Sequence, residues 1–102
     1  MLVIDKKNYE LKYNMKRVEL IENAVGMPTM ADIAAHRGML SLSTLKAYIA
    51  YGLKEEGSDV FVKPKEGLEM AEKLIESMGY QPVDAEVIEA LQRDCPFFFQ
   101  GA

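Results

Sequence analysis

Apolar and polar residues alternate at the start of the chain, and beyond it the apolar positions fall at helical spacing. Leu2-Val3-Ile4 and Tyr9-Glu10-Leu11-Lys12-Tyr13 flank the polar segment Asp5-Lys6-Lys7-Asn8. In the second run Tyr9, Leu11 and Tyr13 share one face, and Glu10 and Lys12 the other. That is the pattern of a half-buried strand, and the segment between reads as a hairpin turn. A lone hairpin is marginal in water, so this one needs a surface to lie on.

Five helices follow. Asn14 is a good N-cap and Gly26 a good C-terminal stop, and Val18, Ile21 and Val25 between them fall at i, i+3 and i+7, so residues 15–25 read as the first helix. Pro28-Thr29 opens the second. Thr29 and Asp32 resemble a capping box with Asp in place of Glu, Met30, Ile33 and Ala34 make the expected inner face, and Gly38 ends it. Ser41 or Ser43 caps the third helix, with Leu45, Tyr48, Ile49 and Leu53 as its stripe. Residues 54–59 read as a polar loop and Val60-Phe61-Val62 as a short strand or extended segment. Pro64 starts the fourth helix and Gly79 closes it, with Leu68, Ala71, Leu74, Ile75 and Met78 on one stripe. In the fifth, after Pro82, Asp84 is the expected N-cap, and Val83 and Ile88 occupy the positions of a hydrophobic staple. Pro96 stops it, leaving residues 95–102 as a tail with Phe97-Phe98-Phe99. The expected fold is one α+β domain over residues 1–102, mostly α-helical, with an N-terminal β-hairpin packed on about four to five helices.

Length and composition agree with one domain. The chain has 102 residues, 49% hydrophobic and 27% charged, ordinary proportions for a globular protein. No apolar run approaches the roughly 20 residues of a membrane span, and the N-terminus lacks the pattern of a signal peptide. A single cysteine, Cys95, excludes an internal disulfide and a cysteine metal site, so a cytoplasmic setting is the default expectation. Residues 1–53 carry seven Lys/Arg and five Asp/Glu, a balance of +2; residues 54–102 carry five and eleven, a balance of −6. An acidic C-terminal half repels phosphate backbones, which argues against a nucleic acid partner.

Little in the chain suggests catalysis, and no cofactor or metal is expected. The only histidine, His36, lies near a helix end with Asp32 as its nearest acidic residue in helical reach. Cys95 stands before a proline, with Arg93 close by in sequence. Glu66, Glu69, Glu72 and Glu76 line one face of the fourth helix, where Lys65 and Lys73 stand at ion-pairing distance in sequence from Glu69 and, for Lys73, from Glu76, so this reads as a solvated, paired surface. The seven glycines are scattered singly and form no phosphate-binding loop. Seven methionines are many for this length. Most suit a core, but Met27, Met30 and Met39 cluster around one short helix and suit an adaptable binding surface.

Residues 29–50 also carry the outline of a helix-turn-helix, in which Leu42, Ser43, Thr44, Lys46 and Tyr48 would sit on the recognition helix. The turn is one residue too long, the helix has one basic residue, and the domain is acidic. An adaptor or scaffold domain is a further alternative.

The order and spacing of elements resemble the tail assembly chaperone family of long-tailed bacteriophages and prophages. The resemblance covers the hairpin Ile4–Tyr13, the glycine-ended helix Ile21-Glu22-Asn23-Ala24-Val25-Gly26 and the segment Leu40-Ser41-Leu42-Ser43-Thr44-Leu45 leading to Tyr51-Gly52-Leu53. It continues through the break Met78-Gly79-Tyr80 and the final helix Val87-Ile88-Glu89-Ala90-Leu91. The turn reads Asp5-Lys6-Lys7 where the family's form is Asp-Gly-Lys. The resemblance implies a non-catalytic factor of the host cytoplasm, absent from the mature virion, that keeps the long tape measure protein in solution during tail assembly, alone or as a homo-oligomer. It also implies a longer frameshifted form that recruits tail tube subunits. Phe97-Phe98-Phe99, whose consecutive codons would be runs of T, lies where such slippage would occur. The expected partner-binding residues are Met27, Met30, Met39, Phe97, Phe98 and Phe99.

Overall fold

The hairpin forms at the N-terminus and acquires a third strand. In the computed structural model, which describes residues 2–99, β1 (Leu2–Ile4) pairs antiparallel with β2 (Lys7–Leu11) in the register Leu2↔Tyr9, Val3↔Asn8, Ile4↔Lys7. The turn between them is Asp5-Lys6, at φ 50° and 67°. Both residues adopt the left-handed conformation that a two-residue hairpin loop demands and that glycine or asparagine would hold with less strain. β2 then pairs with β3 (Leu53–Glu55), so the sheet order is β1-β2-β3. Leu2, Ile4, Leu11 and Leu53 are buried beneath the sheet. On the other face Glu10 and Lys54 form an ion pair across the strands.

β3 corrects the expected loop over residues 54–59, because Lys54 and Glu55 are strand residues. They are polar, but β2 offers them backbone partners, and pairing, not hydrophobicity, makes them a strand. Val60-Phe61-Val62 is correspondingly less of a strand than expected. Only Phe61 bridges back to Lys54, and its ring lies 3.8 Å from the Arg17 guanidinium.

Five helices complete the domain, which is α+β and mostly helical: α1 (Met15–Val25), α2 (Thr29–Ala35), α3 (Leu42–Gly52), α4 (Pro64–Met78) and α5 (Tyr80–Asp94). None of them is long and apolar enough to cross a membrane. A 3-10 turn, Pro96–Phe98, follows α5, and residues 100–102 of the expected tail lie outside the described residues. α1 has the expected bounds, since the Asn14 side chain accepts from the Arg17 N–H at 2.8 Å and Gly26, at φ 80°, ends it. Ser41 caps α3 by accepting from the Thr44 N–H.

α3 is the centre of the domain. Thr44, Leu45, Ala47, Tyr48, Ile49, Ala50 and Gly52 are all buried, so it is enclosed on nearly every side. A fully buried Leu, Ile or Tyr of this kind contributes about 1.5–3 kcal/mol. α4 crosses α3 so closely that a Cβ on Gly67 would stand 2.6 Å from the Ala50 carbonyl oxygen. A Cβ on Gly52 would likewise run into the Tyr13 ring. Tyr13 packs edge-on against Tyr48 and donates from its hydroxyl to the Tyr48 carbonyl at 2.7 Å.

Further expectations on α2, α5 and α4 are corrected. α2 does not run to Gly38: it stops at Ala35, and Arg37 and Gly38 both adopt positive φ. Its capping box does not form, because Thr29 and Asp32 face inward. The Thr29 N–H donates to Glu22 at 2.6 Å, its hydroxyl bonds that of Tyr48, and Asp32 accepts from the Ser41 N–H at 2.9 Å. Polar partners thus win the inner face; Met30 and Ala34 are exposed and Ile33 is half-buried. α5 begins at Tyr80, not beyond Pro82, because Gly79 at φ 94° reverses the chain and a proline is tolerated in the first turn. Asp84 is therefore inside the helix, caps nothing, and accepts from the Leu40 N–H at 3.0 Å; Val83 is a buried helical residue, not half of a staple. On α4, Leu68 is exposed, and Gly67 takes the buried place beside α3.

Asp94 closes the fold by joining the end of α5 to the chain entering α1. Its carboxylate accepts from the Tyr13 N–H at 2.9 Å and from the Arg93 guanidinium at 2.9 Å through each oxygen. Burial alone would raise its pKa, but the Arg93 and Tyr13 hydrogen bonds and the charges of Arg93 and Lys12 bring it from 3.8 down to about 2. A carboxylate with a depressed folded pKa adds stability that is present above the unfolded value and lost as pH falls through the folded one. Asp94→Asn is expected to cost about 1–2 kcal/mol at pH 7. In urea denaturation, the gap between variant and wild type should close between about pH 4 and pH 2; a gap independent of pH would contradict the ionic account.

Candidate partner-binding surface

The expected contact residues emerge from the way α2 is tethered. Gly26 ends α1, and Met27 and Pro28 carry the chain to Thr29, whose hydrogen bonds pin the start of α2. Since Thr29 and Asp32 point inward, Met30 points out. Met27 and Met30 are 39% and 41% exposed, and Met39, just after the left-handed Gly38, is half-buried. At the C-terminus, Phe97 and Phe99 are exposed, while Phe98 between them packs on the core. The three rings form a ladder, with centroids 4.7 Å apart for Phe97 and Phe98 and 6.4 Å for Phe98 and Phe99.

The six residues are anchored at different ends of α1. The methionines lie between the end of α1 and the start of α3, whereas the phenylalanines follow Asp94, which holds the approach to α1. Methionine at the first site suits a partner of variable shape, because its side chain is unbranched and polarisable.

A third apolar surface was not anticipated from sequence. Leu42, 53% exposed at the start of α3, and Ile75 on α4 line a groove with Lys46, Glu72 and Glu76. Lys46 Nζ stands 3.7 Å from Glu72 Oε1 across it. Leu68 continues the Ile75 stripe one helical heptad away. The sequence pattern concealed this groove because Leu68 and Ile75 keep core spacing with Ala71 and Leu74. The exposed Leu42, standing before a buried run, was the available signal.

The ion pairs expected within α4 do not form. Lys73 reaches instead to Asp5, at 3.2 Å, and Glu72 is taken by Lys46. Among the described residues, no cation lies at ion-pairing distance from Glu69 or Glu76.

The remaining candidates make contacts within the fold. His36 caps α2, its Nδ1 2.7 Å from the Asp32 carbonyl oxygen and 3.5 Å from the Asp32 carboxylate. Cys95 is fully buried, and burial together with the Asp94 charge pushes its thiol above the ordinary range, the opposite of an activated nucleophile. Among the described residues, no group of three or more His, Cys, Asp or Glu is placed to hold a metal ion. A recognition helix must stand clear of its domain, but Thr44 and Tyr48 are buried in the centre of α3. No family model, no curated protein and no solved structure matches the chain.

The aromatic tail divides into an anchor and two exposed rings, and mutation should separate them. Replacing Phe97 and Phe99 together by serine is expected to change stability by less than about 0.5 kcal/mol, and Phe98→Ser to cost about 1–3 kcal/mol. Urea denaturation of the two variants tests this; equal losses would contradict the division.

Proposed function

We propose that this protein is a non-catalytic tail assembly chaperone that grips the tape measure protein in the host cytoplasm and leaves before the virion is complete. The observation that carries this reading is the exposure of Met27, Met30, Phe97 and Phe99 on a domain whose own interior is satisfied. Among the described residues, every buried side-chain nitrogen or oxygen has a hydrogen-bond partner. A domain that has completed its core while leaving methionines and phenylalanines in water has apolar surface available for a client. The net charge of −4 favours dispersal of a coated client. The aromatic tail, anchored by Cys95 and Phe98, suits a junction from which a frameshifted form would reach toward tail tube subunits.

Co-expression tests the reading. On this reading the protein to co-express is the product of a long coiled-coil gene lying beside a tail tube gene in the same genome. The full chain should hold that product in the supernatant and co-purify with it. Combined replacement of Met27, Met30, Phe97 and Phe99 by serine should abolish both effects while the far-ultraviolet circular dichroism stays helical. A client that aggregates equally with and without the protein would overturn the proposal.

A further inference from the structure

The groove between α3 and α4 has a geometry that selects its occupant. The two helices run antiparallel, since Gly67 lies against Ala50, Glu72 against Lys46, and Ile75 and Glu76 line the same depression as Leu42. Leu68, Glu72 and Ile75 fall at i, i+4 and i+7 on one flank of α4, and Glu69 and Glu76 lie one step further out. The apolar lining is thus Leu42 and Ile75, and Glu72 and Glu76 stand on the α4 wall. Leu68 lies exposed on the same flank of α4, about 10 Å or two helical turns before Ile75, with Glu69 beside it.

We propose that this groove binds one amphipathic α-helix of another protein, with apolar residues at i, i+4 and i+7 and lysines or arginines along the flank that meets α4. The groove runs along the sides of two helices and meets no strand edge, so an extended peptide would find no ladder of main-chain partners there. A helix satisfies its own backbone and needs only side-chain complementarity, and two aligned helices form the groove into which a third packs. Charge selects the basic flank: Glu69 and Glu76 have no ion-pair partner among the described residues, and Glu72 has only the half-exposed Lys46. The same charge disfavours a second copy docking groove to groove, which would set Glu69, Glu72 and Glu76 against their own counterparts. The proposal does not rest on the identity of the client.

The probe is a synthetic amphipathic helix of five turns with leucines at the three apolar positions and lysines along one flank, beside a sister peptide carrying glutamates instead. Titrated into the full isotope-labelled chain, the lysine peptide should move the amide resonances of Leu42, Lys46, Leu68, Glu72, Ile75 and Glu76. Leu42→Ser with Leu68→Ser should weaken it at least tenfold, and Glu69→Lys with Glu76→Lys should transfer preference to the glutamate peptide. These side chains are exposed, so circular dichroism of both variants should match wild type. Shifts confined to residues 27–39 or 96–99, or equal affinity for the two peptides, would overturn the proposal. So would a dimer in sedimentation that the serine variant dissolves, since the occupant would then be a second copy. If the tape measure protein is not rescued but the lysine peptide binds here, the client reading fails and the groove remains.

Discussion

The fold depends on how closely other elements approach α3. Gly67 leaves α4 no side chain at its contact with Ala50, and Gly52 leaves the Tyr13 ring space at the far end of α3. Both positions are buried, and each lets a backbone or ring approach to a distance that a methyl group would prevent. The groove follows from the same contact. With Gly67 as the touching residue, Leu68 is left exposed, Ala71 and Leu74 close over the core, and Ile75 borders the groove with Leu42.

Carboxylates hold the connections that apolar contacts leave loose. Asp32, Asp84, Asp94 and Glu22 each accept a backbone N–H, from Ser41, Leu40, Tyr13 and Thr29 respectively. Each bond adds on the order of 1–3 kcal/mol because the acceptor is charged. The cost is desolvation, visible at Asp84, whose carboxyl is raised by burial against the opposing effect of the Leu40 N–H. α2 shows what this mode of attachment does. It is tied through Thr29 and Asp32, with Ile33 its half-buried apolar contact, and Met27 and Met30 remain in solvent.

The hairpin, α1, α3 and α4 were legible because their signals are local. Asn14 and Gly26 bracket α1, Ser41 opens α3, and Pro64 and Gly79 bound α4. What escaped depends on partners distant in sequence. Lys54 and Glu55 become strand only beside β2. Asp84 looks like an N-cap until Gly79 reverses the chain tightly enough for α5 to start ahead of Pro82. The face of α2 is set by Tyr48 and Ser41, which no helical period reveals. The expected pairs on α4 failed because Lys73 found Asp5 and Glu72 found Lys46. Of the candidate contact residues, Met27, Met30, Phe97 and Phe99 are exposed as a binding surface requires, whereas Phe98 is an anchor.

An enclosed α3 carrying a short α2 held mainly by the hydrogen bonds of Thr29 and Asp32 is the central claim, and native-state hydrogen exchange on the full chain tests it most directly. The amides of residues 45–50 should exchange only through global unfolding, with a free energy equal to that from denaturant titration. Those of residues 32–36 should exchange at least a hundredfold faster, through local opening that leaves α3 protected. Protection of α2 equal to that of α3 would contradict the account.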